Sequence, residues 1–235
     1  MVFILMAGIV IHRWGQKHAQ YMTGGTPHPA NCISCHLYLD QDSKLARLFD
    51  KPYISPLNLV TDRQGKTLFV TGHEINQLLL VDLEKNEVSD RIPVGEWPHS
   101  VVLDHKRSRA YVSNHWSENI SVIDLNSNQV VDTVEVGSGP SAMVLDAGAR
   151  YLFVANSFSG NLSVIDLDNN TEIRRLPTGN FPIGIDTTPD GAYVYVTHRR
   201  SNPGPFRDGI KTDISIVDVK HLRVTERKEI NGGHI

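Results

Sequence analysis

Arg109-Ala-Tyr-Val-Ser-Asn-His-Trp-Ser-Glu-Asn-Ile-Ser-Val-Ile-Asp-Leu125 and, 42 residues later, Tyr151-Leu-Phe-Val-Ala-Asn-Ser-Phe-Ser-Gly-Asn-Leu-Ser-Val-Ile-Asp-Leu167 are two copies of one phrase. Each reads as a strand rich in β-branched and aromatic residues, a polar turn, and a second strand. The register extends in both directions. Gly95, Gly137 and Gly179 keep it, as do Pro98, Pro140 and Pro182, and Asp82, Asp124 and Asp166. It also aligns Leu68-Phe-Val70, Ala110-Tyr-Val112, Leu152-Phe-Val154 and Val194-Tyr-Val196. Four copies result, spanning 53–94, 95–136, 137–178 and 179–230, the last lengthened by ten residues so that its aspartate is Asp218.

Each copy divides into four strand-like runs, here called A to D, exemplified by Ser100–Leu103, Arg109–Ser113, Asn119–Leu125 and Gln129–Val136. Strand C carries Ile120, Val122, Ile123 and Leu125, apolar on both faces, as expected where neighbouring sheets cover both sides. A repeat of this length built from short strands predicts an all-β fold, a β-propeller of four-stranded antiparallel blades. The recurring Asp and Asn positions fit turns and strand ends and receive no catalytic role. Stacked repeats bury their faces against neighbours, so an open arc of four blades should expose an apolar sheet face at each end. The arc is expected to be incomplete, with Asn231 to Ile235 opening a further blade.

Tyr111-Val-Ser-Asn114 and Phe153-Val-Ala-Asn156, each followed by Ser-Val-Ile-Asp-Leu and a Gly-x-x-Pro segment, resemble the YVTN family of β-propeller repeats over residues 53–230. Gly72 and His198 depart from that pattern at the Asn position of the first and fourth copies. The resemblance implies closure with six to eight blades. It also implies a parallel with cytochrome-type nitrite reductases, which join a Cys-x-x-Cys-His haem module to an eight-bladed propeller, although a complete cytochrome domain is missing from this sequence.

The chain has 235 residues, 23 Lys plus Arg against 26 Asp plus Glu, and a formal charge of −3. That balance provides no net basic field, which argues against a nucleic-acid partner. Only two cysteines are present, too few for a disulfide scaffold. They form Cys32-Ile-Ser-Cys35-His36, the attachment pattern of a covalent c-type haem. Two thiols at this spacing reach the two vinyl groups of one porphyrin while the adjacent His36 offers a proximal nitrogen to iron. Half a zinc site is the rival, but no second Cys pair exists, and a thioredoxin-like dithiol lacks its βαβ setting.

Met1 to Ile11 is an unbroken apolar or glycine run that as a helix would span about 16 Å, half a bilayer core. Residues 1–20 therefore read as a signal or anchor-like segment, and 21–52 as the haem-attachment segment, with a short helix at Asp40 to Phe49. Together these predict a periplasmic or extracytoplasmic location, with the N-terminus a possible membrane anchor.

Strand parity places the haem. In an antiparallel blade the B–C and D–A connections share one face of the disc. His73 and His115 follow strand B in copies one and two, His198 falls one position earlier in copy four, and His99 lies beside Trp97 in a D–A segment. The insertion from Arg199 to Lys211 also follows strand B. The candidates for the distal ligand are thus His73, His99 and His115, with His28 and Met22 nearer in sequence. Two functions compete: a haem protein passing electrons to a redox partner protein, and a scaffold whose Trp97, Trp116 and basic insertion hold a surface ligand. A lactonase-like hydrolase shares the resemblance, but no carboxylate and metal constellation supports it.

Overall fold

The computed structural model describes residues 54–199 and 211–231. Four four-stranded antiparallel sheets follow in chain order, each a simple meander. Blade 1 comprises β1 (Pro56–Thr61), β2 (Thr67–Gly72), β3 (Gln77–Asp82) and β4 (Glu87–Pro93). Blade 2 comprises β5 (Pro98–Asp104), β6 (Arg109–Asn114), β7 (Asn119–Asp124) and β8 (Gln129–Glu135). Blade 3 is built from β9 (Pro140–Leu145), β10 (Tyr151–Asn156), β11 (Asn161–Asp166) and β12 (Thr171–Pro177). Blade 4 is built from β13 (Pro182–Thr187), β14 (Tyr193–His198), β15 (Lys211–Asp218) and β16 (Arg223–Asn231). The expected all-β propeller architecture is what the sequence folds into.

The core is three seams. Phe69, Leu78, Leu80 and Ile92 of blade 1 meet Val101, Leu103, Ala110, Val112 and Ile123 of blade 2. Tyr111, Ile120, Val122 and Val134 meet Met143, Leu152, Val154 and Ile165 across the next seam. Phe153, Leu162, Val164 and Leu176 meet Val194, Val196 and Val217 across the third. Strands B and C of the two central blades are buried on both faces, whereas the D strands are mostly exposed. Strand A contacts run from β1 to β5, β5 to β9 and β9 to β13, and no comparable packing joins β13 back to β1. The described residues form an open arc.

Local chemistry explains the repeat. Asp82, Asp124 and Asp166 each accept a hydrogen bond from the backbone N–H two residues later, at 2.9, 2.7 and 2.9 Å. The same turns continue through Asn86, Asn128 and Asn170 in the left-handed region, at φ 55°, 53° and 51°, where asparagine is tolerated. Asn114 Nδ2 donates to Asn119 Oδ1 and Ser121 Oγ at 2.9 and 2.8 Å, and Asn156 Nδ2 donates to Asn161 Oδ1 and Ser163 Oγ at 2.8 and 2.7 Å. The motif asparagine therefore pins the B–C turn. Its glycine partner leaves the room: a Cβ on Gly95 would lie 2.6 Å from Asn114, and one on Gly137 would lie 2.5 Å from Asn156.

Where Gly72 replaces that asparagine, the turn tightens into a 3-10 segment, His73–Ile75, and Ile75 fills the space beside Gly72. His198 instead places Nδ1 3.0 Å from the Asp213 carbonyl. The expected signal segment 1–20, haem-attachment segment 21–52, short helix, and residues 232–235 lie outside the described residues. Among those described, no helix is long and apolar enough to cross a membrane.

Candidate functional site

Four equivalent residues, Ser55, Trp97, Gly139 and Phe181, precede the prolines that open strand A, and all have positive φ, from 45° to 69°. Each offers its carbonyl to the first backbone N–H after strand B: His73 to Ser55 at 3.2 Å, His115 to Trp97 at 2.9 Å, Ser157 to Gly139 at 2.8 Å and Arg199 to Phe181 at 2.8 Å. The D–A connector and the B–C turn of every blade are thereby tied together. This tie brings side chains distant in sequence onto one face of the arc.

Six rings from three blades gather there. Trp97 lies between His73 and Trp116, at centroid separations of 4.7 and 5.4 Å. His115 lies between His99 and Phe158, at 5.5 and 4.7 Å, the Phe158 contact being edge-on. All six are half-buried. The shared face expected for His73, His99 and His115 is thus real, with one refinement: His99 is the second residue of β5 rather than part of the connector before it. Phe158 escaped the sequence reading, yet it sits 42 residues after Trp116 and the register marks it.

Burial sets the charge of these imidazoles. Desolvation, followed by repulsion from His99, pushes His115 down to about 4, so it is neutral at pH 7. His115 Nδ1 lies 3.2 Å from the Pro140 carbonyl, which assigns the proton to Nδ1 and leaves Nε2 as a bare acceptor. His99 is lowered by desolvation first and by the nearby His73 second, and its ring hydrogen-bonds the backbone of Ser141. Two neutral imidazoles are thus anchored on consecutive peptide groups at the start of β9. His73 Nδ1 faces Glu74 Oε1 at 3.3 Å.

His198 does not join this group; it is buried in blade 4 against Asp213, and desolvation holds it below the usual histidine range. Cys32, Cys35, His36, His28 and Met22 lie outside the described residues, as do Arg200 to Ile210 of the insertion. No cluster of three or more His, Cys, Asp or Glu able to hold a metal ion occurs among the described residues. The arrangement offers a nitrogen ligand from His99 or His115 beside aromatic rings on which a planar group can lie.

No family model matches the chain, and no curated protein matches it in sequence. Solved structures share its fold. Hydrazine synthase of Kuenenia stuttgartiensis superposes with a TM-score of 0.71 at 22% identity, over 77% of this chain and 51% of its own. A dihydro-haem d1 dehydrogenase, NirN, in complex with DHE, gives 0.59 at 17% identity over 74% of this chain and 37% of its own. A candidate 6-phosphogluconolactonase from Bacteroides uniformis gives 0.61 at 16%, over 75% and 55%. The chain therefore spans about half the length, or less, of these structures. What they share with it is the β-propeller fold.

Proposed function

We propose that this chain is an exported c-type haem protein in which a YVTN-like propeller serves as the platform, passing electrons alone or within a larger haem oxidoreductase. Cys32 and Cys35 would hold the haem covalently with His36 as its proximal iron ligand, and His73, His99, His115, His28 and Met22 are the candidates for the distal position, of which His99 and His115 are the ones the ring cluster favours. The observation that carries the reading is the His99–His115 pair, half-buried and uncharged, with Nε2 of His115 unprotonated. Such a donor set fits low-spin haem iron, which takes neutral imidazole nitrogen. A haem bound there would supply reversible one-electron transfer. The chain's own residues would exclude water and fix the ligand tautomer: Phe158 packs on His115, and the Pro140 carbonyl holds its Nδ1 proton. One of the fold neighbours carries haem d1 chemistry in its name, which is compatible with this reading.

The test is a pyridine haemochrome assay on protein made with a haem c maturation system. Covalent haem is expected, lost in Cys32→Ala with Cys35→Ala, with a low-spin spectrum that shifts in His115→Ala or His99→Ala. Absence of covalent haem would move the function to a surface or periplasmic binding scaffold. The Trp97–Trp116 pair favours that second reading, since paired tryptophans on a disc face suit an apolar or aromatic ligand.

A further inference from the structure

Blade 4 closes its B–C turn differently from the others. The ladder between strands B and C ends on Gly72 opposite Gln77 in blade 1, Asn114 opposite Asn119 in blade 2 and Asn156 opposite Asn161 in blade 3. In blade 4 it stops one pair short, at Thr197 opposite Ile214. The next two residues, His198 and Asp213, hold the repeat positions of Asn156 and Asn161 once the ten-residue insertion is counted, and Ser215 holds that of Ser163.

A side chain takes over the closure. His198 Nδ1 lies 3.0 Å from the Asp213 carbonyl. Where Ser121 and Ser163 accept from the motif amide, Ser215 Oγ donates to the Thr178 carbonyl at 2.7 Å. The imidazole is 5% exposed and lies against the connector from blade 3, so that a Cβ on Gly179 would meet its Cδ2 at 3.4 Å. Blades 2 and 3 are pinned by amides, which do not titrate; blade 4 is pinned by a group that does.

Among the described residues two charged groups act on the ring: the Arg227 guanidinium on β16 opposes its protonation and the Asp213 carboxylate on β15 favours it. Arg199 follows it on the chain, and Gly179 of the connector and Pro182 of β13, its other neighbours, are uncharged. Burial outweighs these and holds His198 below the ordinary histidine range. An opened turn therefore takes up the proton before the closed one, and closure weakens as pH falls through that range.

We propose that His198 is an acid-operated latch on blade 4: protonation drives the imidazole out of its seat and opens the B–C turn, while the amide-pinned turn of blade 3 stays shut. Arg199 N–H donates to the Phe181 carbonyl at 2.8 Å, so opening also unties the D–A connector on the face that carries the ring cluster. The latch is a pH-sensitive element of the fold itself and stands whether or not haem is bound.

Hydrogen exchange on the full chain tests this. Between pH 7.5 and 5.0 the protection factors at the turn ends of β14 and β15 should fall about fivefold or more, while those of β10 and β11 hold. His198→Asn with Asp213→Asn rebuilds the amide pair of blades 2 and 3 and should abolish the fall. His221, the other described imidazole of blade 4, sits beside Asp218 at the far end of β15, and His221→Gln should leave the fall intact. In the unaltered chain the ring-proton resonance of His198 should titrate over the pH range in which protection is lost, a measurement that needs no substitution. Equal protection at the two pH values overturns the proposal. So does a fall that survives the double replacement, or a His198 titration that does not track it.

Discussion

Asn114 and Asn156 show how one side chain can set a blade. Each is buried and donates twice into the following strand, while its Oδ1 finds no partner among the described residues. Asn156→Ala should therefore cost about 1–3 kcal/mol, less than two ideal bonds would suggest, because an orphaned acceptor is removed as well. Urea denaturation measures it. Gly137→Ala should be worse tolerated than Gly148→Ala, since the added methyl meets Asn156 at 2.5 Å in the first case and only the Asp146 carboxylate at 3.2 Å in the second. His115 makes stability depend on pH. Its folded pKa is depressed, so the unfolded chain binds the proton first as pH falls, and stability drops between the ordinary histidine value and about 4. The loss should approach about 3 kcal/mol at most, and His115→Gln should flatten the urea midpoint between pH 7.5 and 4.5.

At the level of the strand and turn, the repeat explains positions that composition leaves silent. Gly65, Ala149 and Gly191 are equivalent and all have positive φ, 68°, 50° and 69°. Only Ala149 carries a Cβ there, so Ala149→Gly should stabilise by about 1 kcal/mol, readable as a rise in melting temperature. The Asn170–Asp132 bond joins blade 3 to blade 2, and a double-mutant cycle to alanine should give a coupling of about 1 kcal/mol. Elements of this kind were legible because a period of 42 repeats the same turn chemistry: aspartate at the end of strand C, asparagine four residues on, glycine and proline before strand A. The ring cluster was only half legible. Strand parity brought His73, His99 and His115 to one face, but their pairing with Trp97, Trp116 and Phe158 depends on which carbonyl each turn takes, here the residue before the proline of its own blade. No one-dimensional pattern states that. His198 illustrates the limit, since it differs by one position from His115 in the repeat and ends up in the blade interior.

Across the whole arc, stability resides in seams rather than in a central core. Each blade depends on its neighbours, and cooperative unfolding should follow nearest-neighbour coupling. Phe153→Ala empties the middle of the third seam and should cost about 3–5 kcal/mol, enough to loosen blade 4 from the rest. Hydrogen exchange would then show faster exchange in β13 to β15 than in β5 to β7. The D strands form a separate outer rim, with Glu87, Asp90 and Arg91 on β4 and Glu172, Arg174 and Arg175 on β12. Charge along such an edge discourages pairing with other strands. The A–B and C–D turns lie on the opposite side of the disc from the ring cluster. A tether placed at Asn126 or Asp168 would thus orient every molecule the same way on an electrode or sensor chip, with the histidine and tryptophan rings turned toward the solution.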